Sequence, residues 1–253
     1  GDFFLVKYNS TGTKQWTRQL GTSSYETAYG VVSDSSGNVY VTGSTNGNLD
    51  GNLKTGITDL YVVKYDSSGN KQWTRQLGSS SGSARGFGVA TDNGNNIYIV
   101  GNVSGELDGN SYFGTGDGFV IKYNSAGIKQ WTRQFGTSSY DSALGVATDA
   151  SGNIYVTGST WGDLDGNVSA GGYELFLVKY NSSGTKLWTQ QLGTSLDEAG
   201  RDITIDSSGN LYVVGYTGGG LDGNTSAGNQ DANLVKFDSE GNKIWTKQFG
   251  SAD

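Results

Sequence analysis

The chain of 253 residues contains no cysteine, histidine, methionine or proline. Lack of cysteine removes any disulfide framework and any thiolate nucleophile, and with it any reading of redox compartment. Lack of histidine as well excludes Ser-His and Cys-His nucleophilic systems and the usual zinc site. Carboxylate chemistry is the one catalytic route left, and a glycosidase needs two carboxylates facing one cleft. Asp197 and Glu198 are merely adjacent in sequence, and they replace Tyr-acid pairs at Tyr25-Glu26 and Tyr140-Asp141. No catalytic residue is assigned, and the chain is read as a non-enzyme. No apolar run approaches the ~18 residues of a membrane span, and no basic-then-apolar leader is present. Basic charge is also scarce. Seventeen Lys and Arg against 24 Asp and Glu give a net charge of −7, which opposes a nucleic-acid backbone, and the basic residues are scattered singly. A translated chain starts with methionine, so the sequence is expected to be a processed product or a section of something longer.

What is abundant is glycine, at 42 residues, and it recurs in step with other residues. Trp16, Trp73, Trp131, Trp188 and Trp245 are spaced by 57, 58, 57 and 57 residues, and Lys7, Lys64, Lys122, Lys179 and Lys236 keep the same step. A fixed period of this length identifies a repeat array. The extra residue of the second copy falls in the connector between Gly78 and Gly88.

Each unit holds four stretches with strand character. The run FFLVKYN (3–9) is apolar, β-branched or aromatic, and has no helical spacing. After the turn Ser10-Thr11-Gly12, KQWTRQL (14–20) alternates as a strand with one open face. A polar connector leads to Gly30-Val31-Val32-Ser33. The cluster Asp34-Ser35-Ser36-Gly37-Asn38 reads as a tight turn, because Asp bonds the backbone within a turn and Gly takes positive φ freely. Val39 to Gly43 is its partner strand, with Tyr98, Tyr155 and Tyr212 as counterparts of Tyr40. Four antiparallel strands per unit, with runs too apolar to leave a face wet, predict an all-β fold: a β-propeller of four-stranded blades packed face against face. The single array spans 1–253, with a partial blade at 2–20 and full blades near 30–77, 88–135, 145–192 and 202–249. The Trp strand is expected outermost, its Thr, Arg and Gln meeting water, and Val31, Val89, Val146 and Ile203 are expected to line the channel. The recurring lysine is expected to be solvated or paired.

These motifs together resemble the bacterial SBBP β-propeller repeat family. The shared pattern is an acid-x-F-x-x-K run, a turn, a Trp strand, a GTSxxD connector and DxxGNxYVTG, and it covers the whole chain. The version here, with LVKYNSTGTKQWTRQ and GSTNGNLDGN, resembles arrays in large secreted or surface proteins of cyanobacteria and related bacteria. The resemblance implies a propeller in an extracellular or cell-surface setting, and little about activity.

The FLVKY–WTRQ hairpin occurs five times but the GVxxD–NxYVTG hairpin only four. The first hairpin, Asp2 to Leu20, therefore lacks its inner strands. Either further residues of a longer propeller supply them, or a second chain does, which would join chains head to tail into a filament. Self-association, between blades or identical chains, is the expected partnership.

Two ligand classes also fit the loops. LDGN repeats carry oxygen side chains at alternate positions followed by glycine, like the front half of a calcium loop. The candidates are Asn48, Asp50 and Asn52; Glu106, Asp108 and Asn110; Asp163, Asp165 and Asn167; and Asp222 and Asn224. Calcium is thus the one cofactor the pattern accommodates, none being required. Asp-Gly is equally a tight-turn dipeptide, Gly220 brings no ligand, and no bidentate glutamate follows at position twelve. Loop aromatics, with Trp161 foremost and Tyr112 and Tyr173 in neighbouring copies, offer stacking surfaces for a glycan, or covers for the blade edges.

Overall fold

A computed structural model describes residues 1–252. Four sheets of four antiparallel strands follow one hairpin. The hairpin pairs β1 (Phe3–Tyr8) with β2 (Lys14–Leu20). Blade 1 joins β3 (Glu26–Ser33), β4 (Val39–Thr45), β5 (Asp59–Tyr65) and β6 (Lys71–Leu77). Blade 2 joins β7 (Ala84–Thr91), β8 (Ile97–Val103), β9 (Asp117–Tyr123) and β10 (Lys129–Phe135). Blade 3 joins β11 (Asp141–Thr148), β12 (Ile154–Thr160), β13 (Glu174–Tyr180) and β14 (Lys186–Leu192). Blade 4 joins β15 (Glu198–Ile205), β16 (Leu211–Thr217), β17 (Asp231–Phe237) and β18 (Lys243–Phe249). Each blade runs from inside to outside in chain order. The inner strands start four residues ahead of positions 30, 88, 145 and 202, because Glu26, Ala84, Asp141 and Glu198 already pair with the strand beside them.

The blades stand in a row, β3 beside β7, β7 beside β11 and β11 beside β15, with β1 next to β3. Alternation along each third strand divides its side chains between two interfaces. On β5, Leu60 and Val62 join the core shared with blade 2, while Tyr61, Val63 and Tyr65 join Phe3 and Leu5 of the hairpin. The same split places Phe176, Val178 and Tyr180 against Val120 and Phe135 of the preceding blade. A sheet apolar on both sides is buried on both sides, as the composition of the run demands.

Turn chemistry explains the regularity. Asp34 Oδ1 accepts from the Ser36 and Asn38 amides at 3.0 and 2.9 Å, and Oδ2 accepts from Tyr40 Oη at 2.9 Å. Asp92, Asp149 and Asp206 repeat the arrangement with Tyr98, Tyr155 and Tyr212. The side-chain hydrogen bond from Asn210, with further donors around it, holds the Asp206 carboxyl at about 2.

One feature of the outer strand differs from the sequence expectation. Thr74 and Thr132 are buried, because the LDGN loop folds back over them: Thr74 Oγ1 donates to Asp50 Oδ2 and Thr132 Oγ1 to Asp108 Oδ2, both at 2.7 Å. Gln76 is engaged too, accepting from the Leu49 amide at 2.9 Å and donating to Gly47 O and Asp59 Oδ2, each at 3.0 Å. Thr74 and Thr132 do not meet water, and with the half-buried Gln76 they anchor the loop.

Candidate functional site

The recurring lysine and tryptophan form a latch between successive blades. Lys7, Lys64, Lys122 and Lys179 each donate from Nζ to the carbonyl oxygen of Ser67, Ser125, Ser182 or Ser239 in the outer turn of the next blade, at 2.8 to 3.0 Å. Trp16, Trp73 and Trp131 reach the same carbonyls through Nε1 at 3.4 Å. Arg75 and Arg133 grip the carbonyls of Gly127 and Gly184 from Nε, each at 2.7 Å, with the guanidinium over the indole of Trp73 or Trp131. Arg18 makes the same contact to Gly69. The lysine does not pair with the acid that opens its strand: Lys7, Lys64 and Lys122 are half-buried, and Lys179 is buried with Glu240 at 3.9 Å. It lies over a tyrosine ring, Lys64 on Tyr40 at 5.4 Å, and ends on a backbone oxygen.

The latch changes at the interface between blades 3 and 4. Gln190 replaces the arginine in blade 3, Trp188 Nε1 is buried without a partner, and a 430 Å³ cavity lined by Gln190, Leu192, Phe237 and Gly241 occupies the region. In blade 4, Lys236, Trp245 and Lys247 hold no outer turn among the described residues. Val214 and Phe249 are exposed there, and Leu234 is half-buried where Val62 and Val120 are sealed. At the opposite end, Phe4 and Tyr8, which occupy the register positions of Tyr61 and Tyr65, are 72% and 58% exposed.

The LDGN loops are short 3-10 turns at Leu49–Gly51, Leu164–Gly166 and Leu221–Gly223, with Asp50, Asp165 and Asp222 at positive φ and the leucine buried. The Asp50, Asp108, Asp165 and Asp222 carboxylates pair with Lys71, Lys129, Lys186 and Lys243. Asn52, Asn110, Asn167 and Asn224 donate from Nδ2 to the leucine carbonyl of their own turn. Asn48 accepts from the Lys54 amide and Asp163 from the Ser169 amide. A cation at such a loop would compete with an ammonium group already in place, and among the described residues no group of three or more acidic side chains is arranged to hold a metal. The residues fit a turn better than they fit calcium. The acidic residue at Glu106 stands in the corresponding place of the second loop.

Of the loop aromatics, Trp161 and Tyr173 come together, with centroids 5.1 Å apart, and Tyr140 joins Tyr173 at 6.3 Å. Trp161 is half exposed. Tyr112 is half-buried beside Asp117 and makes no ring contact with them among the described residues. Tyr140 was not singled out from sequence; its place two strands away from Tyr173 hides the pairing. Asp197 and Glu198 face apart: Asp197 Oδ1 accepts from the Tyr173 amide, while the buried Glu198 accepts from Thr194 and Thr217.

Blades in a row, each latched to the next, define a β-propeller repeat array. The SBBP beta-propeller repeat matches residues 15–50, 72–106, 130–165 and 187–222, more than half of the chain, so the chain belongs to that family. Among curated proteins it is similar to the regulatory protein FlaEY of Caulobacter vibrioides, at 28% identity over 83% of this chain and 25% of that protein. It is also similar to the uncharacterized WD repeat-containing protein L264 of Acanthamoeba polyphaga mimivirus, at 24% identity over 96% of this chain and 24% of that protein. The chain spans about a quarter of the length of these curated relatives. A Bacteroides caccae protein of unknown function aligns with 95% of this chain and 73% of its own, at 12% identity and a TM-score of 0.48.

Proposed function

We propose that this chain is a non-catalytic interaction module, a β-propeller section of a bacterial extracellular or surface protein or fibre that associates through its repeat faces. One observation carries the reading: the same lysine latches every interface among the described residues, joined by a tryptophan indole at three of the four. Near-identical units suit multivalent or end-to-end contact, whereas a reaction centre needs one blade to be chemically distinct and open. The similarity to a part of a longer regulatory protein is compatible with a module that serves a larger chain. Sedimentation velocity across a wide concentration range, with electron microscopy of the same sample, tests it: association into dimers or longer polymers is expected, and isolated particles at every concentration would refute it.

A second reading is a lectin-like role at the Trp161–Tyr173 pair, favoured by the close ring contact and by the exposure of Trp161. A glycan array compared between the chain and Trp161→Ala decides it, since equal or absent binding in both removes the glycan.

A further inference from the structure

Where a connector enters a blade, it meets that blade's own outer loop at equivalent positions. The loop residue after the second strand donates its amide to a connector carbonyl: Asn46 to Tyr25, Ser104 to Ser83, Trp161 to Tyr140 and Gly218 to Asp197, at 2.8 to 3.1 Å. A third position lies just ahead of the third strand, at Thr58, Gly116, Tyr173 and Gln230. In blades 1 and 2 polar bonds close the space between these positions. Thr58 Oγ1 donates to Asn46 Oδ1 at 2.8 Å, and the Ser83 amide donates to Ser104 Oγ at 3.0 Å. Blade 3 fills the same space with the rings of Tyr140, Trp161 and Tyr173.

Blade 4 leaves it open. Asp197, Gly218 and Gln230 stand at the three positions around a 230 Å³ cavity, and Ser195, Leu196 and Asn229 complete its wall. Glycine leaves the room: a β-carbon on Gly218 would lie 3.2 Å from Leu196 Cβ and 3.4 Å from the Asp197 amide nitrogen. The two sides of the hollow are the connector between blades 3 and 4 and the outer loop of blade 4, so both come from within the chain.

The hollow and the aromatic cluster share one residue. Asp197 Oδ1 accepts from the Tyr173 amide at 3.0 Å, and Asp197 also borders the cavity. Tyr173 in turn lies against the half-exposed Trp161. A stacking face and a hydrogen-bonding hollow thus stand side by side at the junction of blades 3 and 4.

Their chemistry fits a sugar chain. An indole or phenol face takes the apolar C–H face of a pyranose. The Asp197 carboxylate accepts, while the Asn229 and Gln230 amides and the Ser195 hydroxyl both donate and accept, a set that matches neighbouring hydroxyl groups. At 230 Å³ the hollow is smaller than the ~300 Å³ of a site that encloses a drug-sized ligand, so it holds one ring and not a whole oligosaccharide. No lysine or arginine lines it, and Asp197 repels a carboxylate or sulfate.

We propose that this junction binds a neutral oligosaccharide of two or more residues, with one ring on Trp161 and Tyr173 and the next held in the hollow by Asp197 and Gln230. The proposal rests on the lectin-like reading above and adds the sugar class and the second subsite.

The probe is an array of neutral glucose, galactose and mannose oligosaccharides beside uronate and sulfated ones, followed by calorimetry with the best neutral binder and its monosaccharide. Neutral chains should bind, acidic chains should not, and the monosaccharide should bind about tenfold more weakly or worse. Trp161→Ala and Gln230→Ala should each weaken binding by about tenfold or more, with unchanged melting curves because both side chains are exposed. Acidic chains bound as well as neutral ones, or parental binding by Gln230→Ala where Trp161→Ala has lost it, would overturn the neutral two-part site and leave the lectin-like reading standing. No binding to any sugar on the array would overturn both.

Discussion

Arg133 of blade 2 donates from Nε to the carbonyl oxygen of Gly184 in blade 3 at 2.7 Å, across 51 residues of sequence, while its guanidinium carbon lies 5.3 Å from the centroid of Trp131. Blade 3 has Gln190 in the equivalent position and a cavity in place of that contact. Gln190→Arg should therefore rebuild the latch onto Gly241 and raise stability by about 1 to 2 kcal/mol, the net worth of a hydrogen bond from a charged donor. Arg133→Gln should lose a similar amount. Urea unfolding of both variants checks the pair, and a neutral result for Gln190→Arg would mean that the last interface has relaxed around glutamine.

Much of this was legible in the sequence, because repetition multiplies weak local signals. The strand runs, the turns that open on Asp34, Asp92, Asp149 and Asp206 and the in-phase tryptophans each recur four or five times, and together they dictate sheets buried on both faces. The latch was not legible. Lys64 and Ser125 are 61 residues apart, and periodicity shows that a lysine is retained without showing which backbone oxygen it meets. The arginine dropping out at Gln190 and Lys247 was the available signal. The buried Thr74 was misplaced for a related reason: alternation put it on the open face, and only the return of the LDGN loop covers it. That return also gives Asp50 to Lys71, a pairing that a local calcium-loop pattern cannot reveal.

The lysine at each LDGN loop leads to a prediction about metal. A ligand at a hundred times its Kd would add about 2.7 kcal/mol of stability, enough to move a melting temperature by several degrees. With Lys71, Lys129, Lys186 and Lys243 on the loop carboxylates, millimolar calcium and chelator should give the same melting curve. A calcium-dependent rise in melting temperature would restore the loops as cation sites.

Two buried carboxyl groups meet between blades 2 and 3. Asp117 and Asp141 both flank Gly136, where a β-carbon would lie 2.9 Å from Asp117 Oδ1 and 2.8 Å from Asp141 Oδ2. Burial pushes both upward, and the neighbouring Asp141 charge adds to the rise at Asp117, whose Oδ1 has no hydrogen-bond partner. An acid raised in the fold holds its proton more tightly folded than unfolded. Its stabilising contribution is full below the unfolded value of ~3.9 and is lost as pH rises through the folded value. Asp117→Asn removes that loss. The variant should be more stable than the parent by about 1 kcal/mol at pH 7, with the difference shrinking or reversing toward pH 4. Thermal melts at the two pH values read it directly, and a pH-independent difference would rule out ionisation as the cause.

Asn233 is the position where blade 4 departs most from its copies in the core. It is 3% exposed, and both its Oδ1 and Nδ2 lack partners. The corresponding residues are Tyr61, Phe119 and Phe176, each opposite a glycine whose missing side chain leaves room for the ring: a β-carbon on Gly101 would lie 2.7 Å from Phe119, and one on Gly158 would lie 2.9 Å from Phe176. Gly215, opposite Asn233, is still glycine, so the space above it has no side chain to displace. Asn233→Phe would exchange two unsatisfied polar atoms for an aromatic ring between blades 3 and 4, a change worth about 2 kcal/mol or more. The substitution acts on the blade 3–blade 4 interface alone, so it should combine additively with Asp117→Asn, whose carboxyl belongs to a different interface. A rise in urea midpoint for Asn233→Phe, with the denaturant slope unchanged, is the expected outcome. A fall would mean that the blades have closed up around the asparagine and that the amide is held by contacts a ring would break.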